Sequence, residues 1–329
     1  MSGGAPMACG AEIVSDTVLT ADLVCEAGPA LVIAADGVTV DLGGHTVSST
    51  GDSGERGPGI LFRGVRDCTV RNGTIERFDA GVAIEGGGAN VVEGLTVQDN
   101  VGSTDGDFGD GIVINRSSDN RVQGNVLRRN GPFSGISLGP QATGNQILEN
   151  TVADHDMSHV PFPDAGRQTM GIRIEGPAAN HNRVEGNTVT GSGCDGIVVL
   201  ATCDNPGDEP PCVGTPPNEH NEIIANVSSG NGRSGRGCGI RLFSMPLPMP
   251  PVHNVVRDNV VDGNTSYGIA LDGLPLRAPG NTAIGNRGRN NGEFDGSDGT
   301  LMPPCGKNVW EDNDFATVNQ PGVARRSGG

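Results

Sequence analysis

The chain has very few aromatic residues and almost no lysine. Aromatic side chains make up 3% of its 329 residues, with one Trp and one Tyr, and Lys307 is the only lysine among 22 basic residues. The formal net charge is -17, so the chain lacks the positive surface that binding to nucleic-acid phosphates requires, and we expect no nucleic-acid partner. A core with so few aromatic side chains must consist of Val, Ile and Leu, which favours β-structure.

Long apolar runs are also missing. No stretch of about 18 apolar residues occurs, which argues against a membrane-spanning helix and a membrane partner. No glycine-rich phosphate loop lies between a strand and a helix, so we expect no organic cofactor. The opening MSGGAPMACG shows neither the charged nor the apolar region of a signal peptide. We therefore expect a secreted protein if a signal peptide has been removed, and a cytoplasmic one otherwise.

Eight cysteines are present, an even number with short spacings that suits an oxidising compartment. The favoured disulfides, each of which closes a short loop, are Cys9 with Cys25 and Cys203 with Cys212. Cys194 and Cys238 precede equivalent strands of the repeat described next, and they could pair if their coils stack. The alternative is that several of these cysteines are free thiols.

A motif of Gly, a branched apolar residue, any residue and a second apolar residue, written GIxI below, recurs eight times. Its glycines are Gly59, Gly81, Gly111, Gly135, Gly171, Gly196, Gly239 and Gly268. Their successive spacings are 22, 30, 24, 36, 25, 43 and 29 residues. A minimum spacing with variable excess is typical of a solenoid that carries loop insertions.

A second repeat consists of two polar positions five residues apart. The later position holds Asn72, Asn125, Asn150, Asn187, Asn226, Asn259 and Asn286, and the earlier one holds Asp67, Asn120, Asn145, Asn182, Asn221, Asn254 and Asn281. Asn tolerates turn conformations, and stacked copies can hydrogen-bond along the stacking axis. Between the two positions apolar and polar residues alternate, as in RVQG, which is the period of a strand. The repeat therefore predicts an all-β protein, a single-stranded right-handed parallel β-helix of about eight to nine coils.

These repeats resemble those of the pectin-lyase-like superfamily of parallel β-helix proteins, and within it the bacterial right-handed β-helix proteins with NosD-like repeats. The resemblance implies that residues 36–300 form the β-helix. Residues 1–35, with ACGAEIVSDTVLTADLVC, resemble the N-terminal cap of that group. Residues 301–329, with CGKNVWEDNDFATVNQP, resemble its closing segment and tail. The scaffold carries many chemistries, so the repeat indicates the fold and leaves the function open.

The longest insertions flank the GIxI strands and predict loops that wall a groove on the outer face of one sheet. They are residues 100–109 and 152–169 before the strand, and residues 200–217, 243–252 and 272–279 after it. Side chains alternate along a strand, so the residue inside GIxI between the apolar positions and the residue after the motif point outward. Arg173, with Glu175 beside it, and Arg241 should thus lie two coils and about 10 Å apart, with Asp195 between them at the rim.

The candidate site combines this floor with the insertion at residues 152–169. The candidates for proton transfer are Asp195, His155, His159, Glu175 and Tyr267. The candidates for substrate binding are Arg173, Arg241, Phe243, Phe162 and Met245. Carboxylates near arginines in a groove can run acid and base steps, because proximity and partial burial push their pKa values apart. For Arg173 with Glu175, a surface ion pair is the alternative.

Two segments contain potential metal ligands. HDMSH places two histidines four residues apart, but Pro161 and Pro163 favour a loop and no third ligand is evident, so we expect no zinc there. TDGDFGDG resembles a calcium-binding loop, and a solvated Gly-Asp turn is the alternative. Its candidate calcium ligands are Asp105, Asp107 and Asp110.

The resemblance implies a carbohydrate-active enzyme of the lyase, epimerase or hydrolase type. In the lyases and epimerases of the superfamily, a cation or Arg neutralises a uronate carboxylate while a base removes the C5 proton. Arg173 or Arg241 could neutralise here, and His155, His159 or Tyr267 could move protons. The chain lacks the matching lyase lysine and the paired aspartates of the polygalacturonases, and DHDMSH is only loosely similar to the epimerase motif.

Two other functions stay open from the sequence. The segments FSMPLPMPPV and LDGLPLRAP are rich in Met and Leu, which suits an isomerase or cyclase that binds a hydrophobic small-molecule metabolite. The third possibility is a non-catalytic binding or surface protein.

Overall fold

The computed structural model describes residues 7–104, 106–158, 169–202, 216–244, 251–272, 280–299 and 307–324. Within these ranges the chain forms 31 strands and one short 3₁₀ helix, Pro321–Ala324. The strands are β1 (Ala11–Ile13), β2 (Thr17–Val18), β3 (Leu23–Cys25), β4 (Leu31–Ile33), β5 (Thr39–Asp41), β6 (Thr46–Ser49), β7 (Pro58–Arg63), β8 (Thr69–Glu76), β9 (Ala80–Glu85), β10 (Val91–Gln98), β11 (Asp110–Asn115), β12 (Arg121–Gln123), β13 (Val126–Arg128), β14 (Ser134–Leu138), β15 (Gln146–Leu148), β16 (Thr151–Ala153), β17 (Met170–Glu175), β18 (Arg183–Glu185), β19 (Thr188–Thr190), β20 (Ile197–Ala201), β21 (Glu222–Ile224), β22 (Val227–Ser229), β23 (Ile240–Ser244), β24 (Val255–Arg257), β25 (Val260–Asp262), β26 (Tyr267–Leu271), β27 (Thr282–Ile284), β28 (Arg287–Arg289), β29 (Phe294–Asp298), β30 (Val309–Glu311) and β31 (Asp314–Phe315). The helix in these ranges is too short to cross a membrane.

Eleven strands stack in parallel into one sheet, called sheet A, in the order β1-β4-β7-β9-β11-β14-β17-β20-β23-β26-β29. Eight of them, β7 to β26 in this order, are the GIxI strands. The other three are β1 and β4, which precede the first motif, and β29, which follows the last. The predicted all-β architecture of stacked parallel strands is confirmed. The number of complete coils and the boundaries of the cap and closing segment stay predictions.

The remaining strands form two further parallel ladders. The ladders join at β8 and β10, because each of these strands pairs through its first half with one ladder and through its second half with the other. Each strand pairs with its equivalents on the coils before and after it, as β18 does with β15 and β21. The inward side chains form an aliphatic core, in which Ile147, Val184 and Ile223 are fully buried. This core matches the shortage of aromatic residues in the sequence.

Three columns of polar side chains run along the inside of the coils, and their members within a coil are five residues apart. The first column is Asn90, Asn120, Asn145, Asn182, Asn221, Asn254 and Asn281, and the second is Asn125, Asn150, Asn187, Asn226, Asn259, Asn286 and Asn313. The third column is Asn100, Asn130, His155, Ser192, Asn231, Asn264 and Asn291. The sequence repeat predicts the first column from Asn120 to Asn281 and the second from Asn125 to Asn286. It is wrong for Asp67 and Asn72, which are exposed corner residues with positive φ. It does not predict the third, in which His155 and Ser192 interrupt the run of Asn.

Asn226 shows how a column is bonded. Its Oδ1 accepts hydrogen bonds from the backbone N (2.9 Å) and Nδ2 (3.0 Å) of Asn187 on the preceding coil. Its Nδ2 donates to the Val184 carbonyl at 2.9 Å and to Asn259 Oδ1 at 3.0 Å. Each buried amide thus satisfies its neighbours, which removes the cost of burying polar groups inside an apolar coil.

The third column explains the glycine of the GIxI motif. A Cβ on Gly135 would lie 2.8 Å from His155 Nε2 and 2.6 Å from Val152 Cγ1. A Cβ on Gly111 would lie 2.9 Å from Asn130 Nδ2. The backbone of sheet A therefore passes so close to this column that no side chain fits.

The cysteine pairing is partly as predicted. Cys9 and Cys25 form a disulfide with a Cα–Cα distance of 5.8 Å, whereas Cys194 and Cys238 are free thiols. The pairing of Cys194 with Cys238 is therefore wrong, and the repeat shows why. Cys194 lies two residues before its motif glycine and Cys238 only one, so the stacked neighbour of Cys238 is Asp195. The pair Cys203 and Cys212 lies outside the described residues.

Candidate functional site

A pocket of about 270 Å³ opens on the outer face of sheet A at strands β11, β14 and β17. Its floor is a row of outward side chains that stack in register, Val113 on Ser137 on Arg173. The other lining residues are Asp107, Asp110, Asn115, Phe133, Gly139, Pro140, Glu175, Gly176 and Thr202. The outer face of the GIxI strands thus carries a pocket, and its lining residues Asp107 and Thr202 belong to the insertions at residues 100–109 and 200–217.

Arg173 is at the centre of this pocket. Its Nη1 lies 2.8 Å from Glu175 Oε2, and its Nη2 lies 3.9 Å from Asp110 Oδ1. Nη2 also donates to Ser137 Oγ at 3.3 Å, and the guanidinium carbon lies 5.6 Å from the centre of the Phe133 ring. Nε is buried and has no hydrogen-bond partner. One guanidinium therefore stands between two carboxyl groups and keeps an unused donor.

The two carboxyl groups have different surroundings. The Asp110 side chain is 4% exposed and accepts a hydrogen bond from Ser134 Oγ, whereas the Glu175 side chain is 28% exposed. Burial raises the pKa of the Asp110 carboxyl, and the charge of Arg173 and the Ser134 hydrogen bond oppose this shift only in part. Asp110 thus holds a proton more readily than an ordinary aspartate. Such a difference between paired carboxyl groups is what an acid and a base need.

A second charged cluster lies further along the same face, beyond the fully buried Val198. Arg241 Nε bonds Asp272 Oδ2 at 2.8 Å, and the guanidinium carbon of Arg241 lies 4.1 Å from the centre of the Phe243 ring. Asp195 is 1% exposed, and its Oδ1 accepts from the backbone N of Cys238 at 2.7 Å. Burial raises the pKa of Asp195, against the opposing Cys238 hydrogen bond and Arg241 charge, and its Oδ2 has no partner.

The thiols beside Asp195 are poor nucleophiles. Burial raises the pKa of Cys194 to about 12, and the negative charge of Asp195 adds to this shift. The same two causes raise the pKa of Cys238 well above its usual value. Since the thiolate is the reactive form, we assign neither cysteine a covalent role.

Tyr267 lies one coil beyond Arg241 in sheet A. Its hydroxyl donates to Glu293 Oε2 at 2.7 Å, and its ring stacks on Phe294 with ring centres 6.5 Å apart. The Glu293 hydrogen bond raises the pKa of Tyr267 to about 12, with smaller contributions from burial and nearby charge. Tyr267 therefore keeps its proton at neutral pH, and it does not line the Arg173 pocket.

The sequence places His155 above the sheet face, whereas the structure puts it inside the coil. His155 is fully buried in the third polar column, where its Nδ1 lies 3.1 Å from the backbone N and 3.0 Å from the carbonyl O of Asn130. Its Nε2 is buried without a partner. Burial lowers the pKa of His155 to about 4, so the ring is neutral at physiological pH. The predicted position was wrong because His155 continues an internal column that the sequence analysis missed.

The structure brings together Arg173 and Glu175, as predicted, and places Arg241 two coils away in the same outward row. Asp195 lies near Arg241 and away from Glu175. The pairing of Asp110 with Arg173 was not predicted. A signal for it exists, because Asp directly precedes the motif glycine at Asp110 and Asp195 alone among the eight repeats.

Several predicted residues lie outside the described ranges: His159, Phe162, Met245 and Asp105. Of the calcium candidates, Asp107 and Asp110 both line the pocket. Asp110 already faces Ser134 and Arg173, so a calcium ion there would compete with a guanidinium. Calcium binding at this place stays a prediction.

Comparison with known proteins supports the fold. Residues 31–167 match the family model described as a right handed beta helix region. Among curated proteins, none matches the sequence of this chain.

Solved structures of carbohydrate-active enzymes are similar at low identity. A pectate lyase has a TM-score of 0.63 and 14% identity, with 94% of this chain and 78% of that chain covered. A mutant of a periplasmic alginate epimerase has a TM-score of 0.54 and 15% identity, with 92% and 72% covered. The catalytic domain of an α-1,3-glucanase in complex with tetrasaccharides has a TM-score of 0.53 and 14% identity, with 95% of this chain and 59% of that chain covered. The chain therefore has the right-handed parallel β-helix fold, as its repeats predict.

Proposed function

We propose that this protein is a carbohydrate-active enzyme of the lyase or epimerase type, which acts on a uronate-containing polysaccharide in the Arg173 pocket. The observation that carries the proposal is one guanidinium between a buried carboxyl with a raised pKa, Asp110, and a partly exposed carboxylate, Glu175. The fold similarity to a pectate lyase and an alginate epimerase supports it.

Arg173 binds the uronate carboxylate in this proposal. Its Nε has no partner, and the contacts of Nη2 to Ser137 and Asp110 are long, at 3.3 and 3.9 Å. These donors are the ones that a substrate carboxylate can engage side-on, in a charge-assisted pair. Neutralising that carboxylate makes the neighbouring C5 proton more acidic and stabilises the negative charge that develops when it leaves.

Glu175 and Asp110 then divide the proton transfers. Glu175 is the more exposed carboxylate and takes the C5 proton. Asp110 is the group held protonated by burial, and it donates a proton to the leaving oxygen or to the opposite face of the sugar ring. Phe133 and Pro140 supply apolar surface for the sugar ring at the pocket wall.

The other functions have less support. The isomerase or cyclase interpretation depends on the segments FSMPLPMPPV and LDGLPLRAP, of which residues 245–250 and 273–279 lie outside the described part of the chain. The lining of the Arg173 pocket is mixed and charged, which suits a polar ligand better than a hydrophobic one.

The Cys9–Cys25 disulfide and the periplasmic neighbour support a location outside the cytoplasm.

The test is an activity survey with polygalacturonate and alginate, followed by variants. Ultraviolet absorbance of the unsaturated uronate detects a lyase, and proton exchange from D₂O by NMR detects an epimerase. We expect Arg173→Gln, Glu175→Gln and Asp110→Asn each to lower kcat/KM by about 10²- to 10⁴-fold. Wild-type activity should fall as pH rises through the raised pKa of Asp110, because the acid must be protonated.

Arg63→Gln is the matched control, since it breaks an Arg–Glu pair of 2.9 Å on the same sheet away from the pocket. It should keep wild-type activity. Reducing ends without unsaturation would indicate a hydrolase. Absence of any product from either polymer, or full activity in both Asp110→Asn and Glu175→Gln, would refute the proposed function.

A further inference from the structure

Three histidines stack at one corner of the coil, outside the pocket. His181, His220 and His253 each directly precede an Asn of the first polar column, and each has a positive φ, of 57°, 57° and 55°. Their ring centres are 5.1 Å apart in both successive pairs, with interplanar angles of 10° and 12°. The equivalent corners of the preceding coils also hold a residue with positive φ, at Ala89, Asp119 and Gly144, and here three consecutive coils supply an imidazole at that position.

A carboxylate joins two of these rings. Glu219 Oε2 lies 3.8 Å from His220 Nε2 and 3.6 Å from His253 Nδ1. The ligand atoms of these three residues all lie within 4.8 Å of one another. The His220, His253 and Glu219 side chains are 48%, 42% and 31% exposed, so an ion can reach them from solvent.

We propose that Glu219, His220 and His253 bind one divalent transition-metal ion, with water in the remaining coordination positions. Two imidazoles and one carboxylate are a donor set that suits Zn²⁺ and similar ions, and suits Ca²⁺ poorly. Ligand atoms at tetrahedral Zn²⁺ lie about 3.4 Å apart, given bonds of about 2.0–2.1 Å. The carboxylate oxygen therefore has to approach each ring nitrogen by only a few tenths of an ångström.

The stacked arrangement needs one adjustment. The lone pair of an imidazole nitrogen lies in the ring plane, so two parallel rings must tilt toward each other to share an ion. Both rings are about half exposed, and Glu219 Oε2 already lies 3.8 Å and 3.6 Å from a nitrogen of each. His181 stacks on His220 but lies outside the ligand group. A site of this kind bridges two neighbouring coils, which carry β21 and β24.

Isothermal titration calorimetry with ZnCl₂ tests the proposal on the full chain, after removal of any polyhistidine tag and of bound metal with EDTA. We expect one Zn²⁺ per chain at pH 7.5, and no comparable heat with CaCl₂. His220→Asn, His253→Asn and Glu219→Gln should each weaken Zn²⁺ binding at least tenfold. Asn is the chosen replacement because it tolerates the positive φ of the corner.

His181→Asn is the matched control, because it removes a stacked imidazole at an equivalent corner and leaves the three ligands in place. It should change the Zn²⁺ affinity less than twofold. Unfolding midpoints in EDTA check that each variant is folded, and Glu219→Gln keeps the test decisive if a corner variant is not. Absence of Zn²⁺ binding by the wild type, or wild-type affinity in His253→Asn and Glu219→Gln, would overturn the proposal.

Discussion

The polar residues inside the coil and those on the outer face of sheet A are bonded in different ways. Inside, an amide such as Asn226 uses its oxygen twice and its nitrogen twice, always with the same kinds of partner. On the outer face, Arg173 Nε and Asp195 Oδ2 are buried and have no partner. The amides of the first two columns serve the fold, whereas the polar groups of the face keep bonding capacity that a ligand can use.

Repetition accounts for this difference. Inside the coil each Asn meets the next Asn one coil away, so the same bonds close from coil to coil. On the outer face the stacked neighbours differ, as where Arg173 lies between Ser137 and Val198. Because Arg173 has no equivalent arginine on the neighbouring coils, its partners are specific to this position, and they are Asp110 and Glu175.

Loss of an Asn side chain from the second interior column should have the largest effect on the free energy of unfolding. Asn226→Ala removes two accepted and two donated hydrogen bonds and leaves their partners buried, which we expect to lower the free energy of unfolding by about 4 kcal/mol. Asn115→Ala on the outer face is the control, because it removes one partly buried bond of 2.8 Å to Glu85 and should cost about 1 kcal/mol or less. Urea denaturation measures both. Equal losses would show that the interior columns are no stronger than the face.

Repetition from coil to coil also explains why the sequence predicts the interior columns better than the outer face. A spacing that recurs, such as that of Asn150, Asn187 and Asn226, specifies both a turn and its neighbour on the next coil. The third column escaped prediction because His155 and Ser192 break its run of Asn, although the five-residue spacing continues through both.

The direction of Arg173 and Glu175 was predictable from strand alternation alone. The choice of Asp110 over Asp195 as the second carboxyl was not. Both aspartates directly precede a motif glycine, and a long arginine side chain can turn back toward Asp110, two coils earlier, or forward toward Asp195 on the next coil. Which way it turns depends on the packing of Phe133 and Ser137, and that packing has no signature in the repeat.

His155 is an interior residue whose hydrogen bonding is incomplete, because its buried Nε2 has no partner. Its pKa of about 4 lies below the ordinary value of 6.5, so the unfolded chain binds the proton more readily between these pH values. The stability that the neutral ring contributes is present above pH 6.5 and is lost as pH falls through about 4, a change of about 3 kcal/mol. His155→Asn should lack this component.

The measurement is the free energy of unfolding of wild type and His155→Asn at pH 7 and pH 4. The difference between the two proteins should shift by about 3 kcal/mol in favour of the variant at the lower pH. His45→Asn is the control, since His45 is a surface residue beside Asp22. Parallel pH profiles for wild type and His155→Asn would mean that the ring is not buried in its neutral form.

The smallest effect is expected at an exposed ion pair, although its bonds are short. Arg183 lies 2.6 Å from Glu185 and 2.6 Å from Glu222, closer than the 3.0 Å bond from Asn226 to Asn259. Its side chain is 39% exposed, so water and salt compete for the charges. We expect Arg183→Gln to lower the free energy of unfolding by about 0.5 kcal/mol. In 1 M NaCl, where the screening length is about 3 Å, the loss should vanish. Urea denaturation at low and high salt tests this. A loss comparable to that of Asn226→Ala, or one that persists in salt, would show that bond length and not burial separates the two regions.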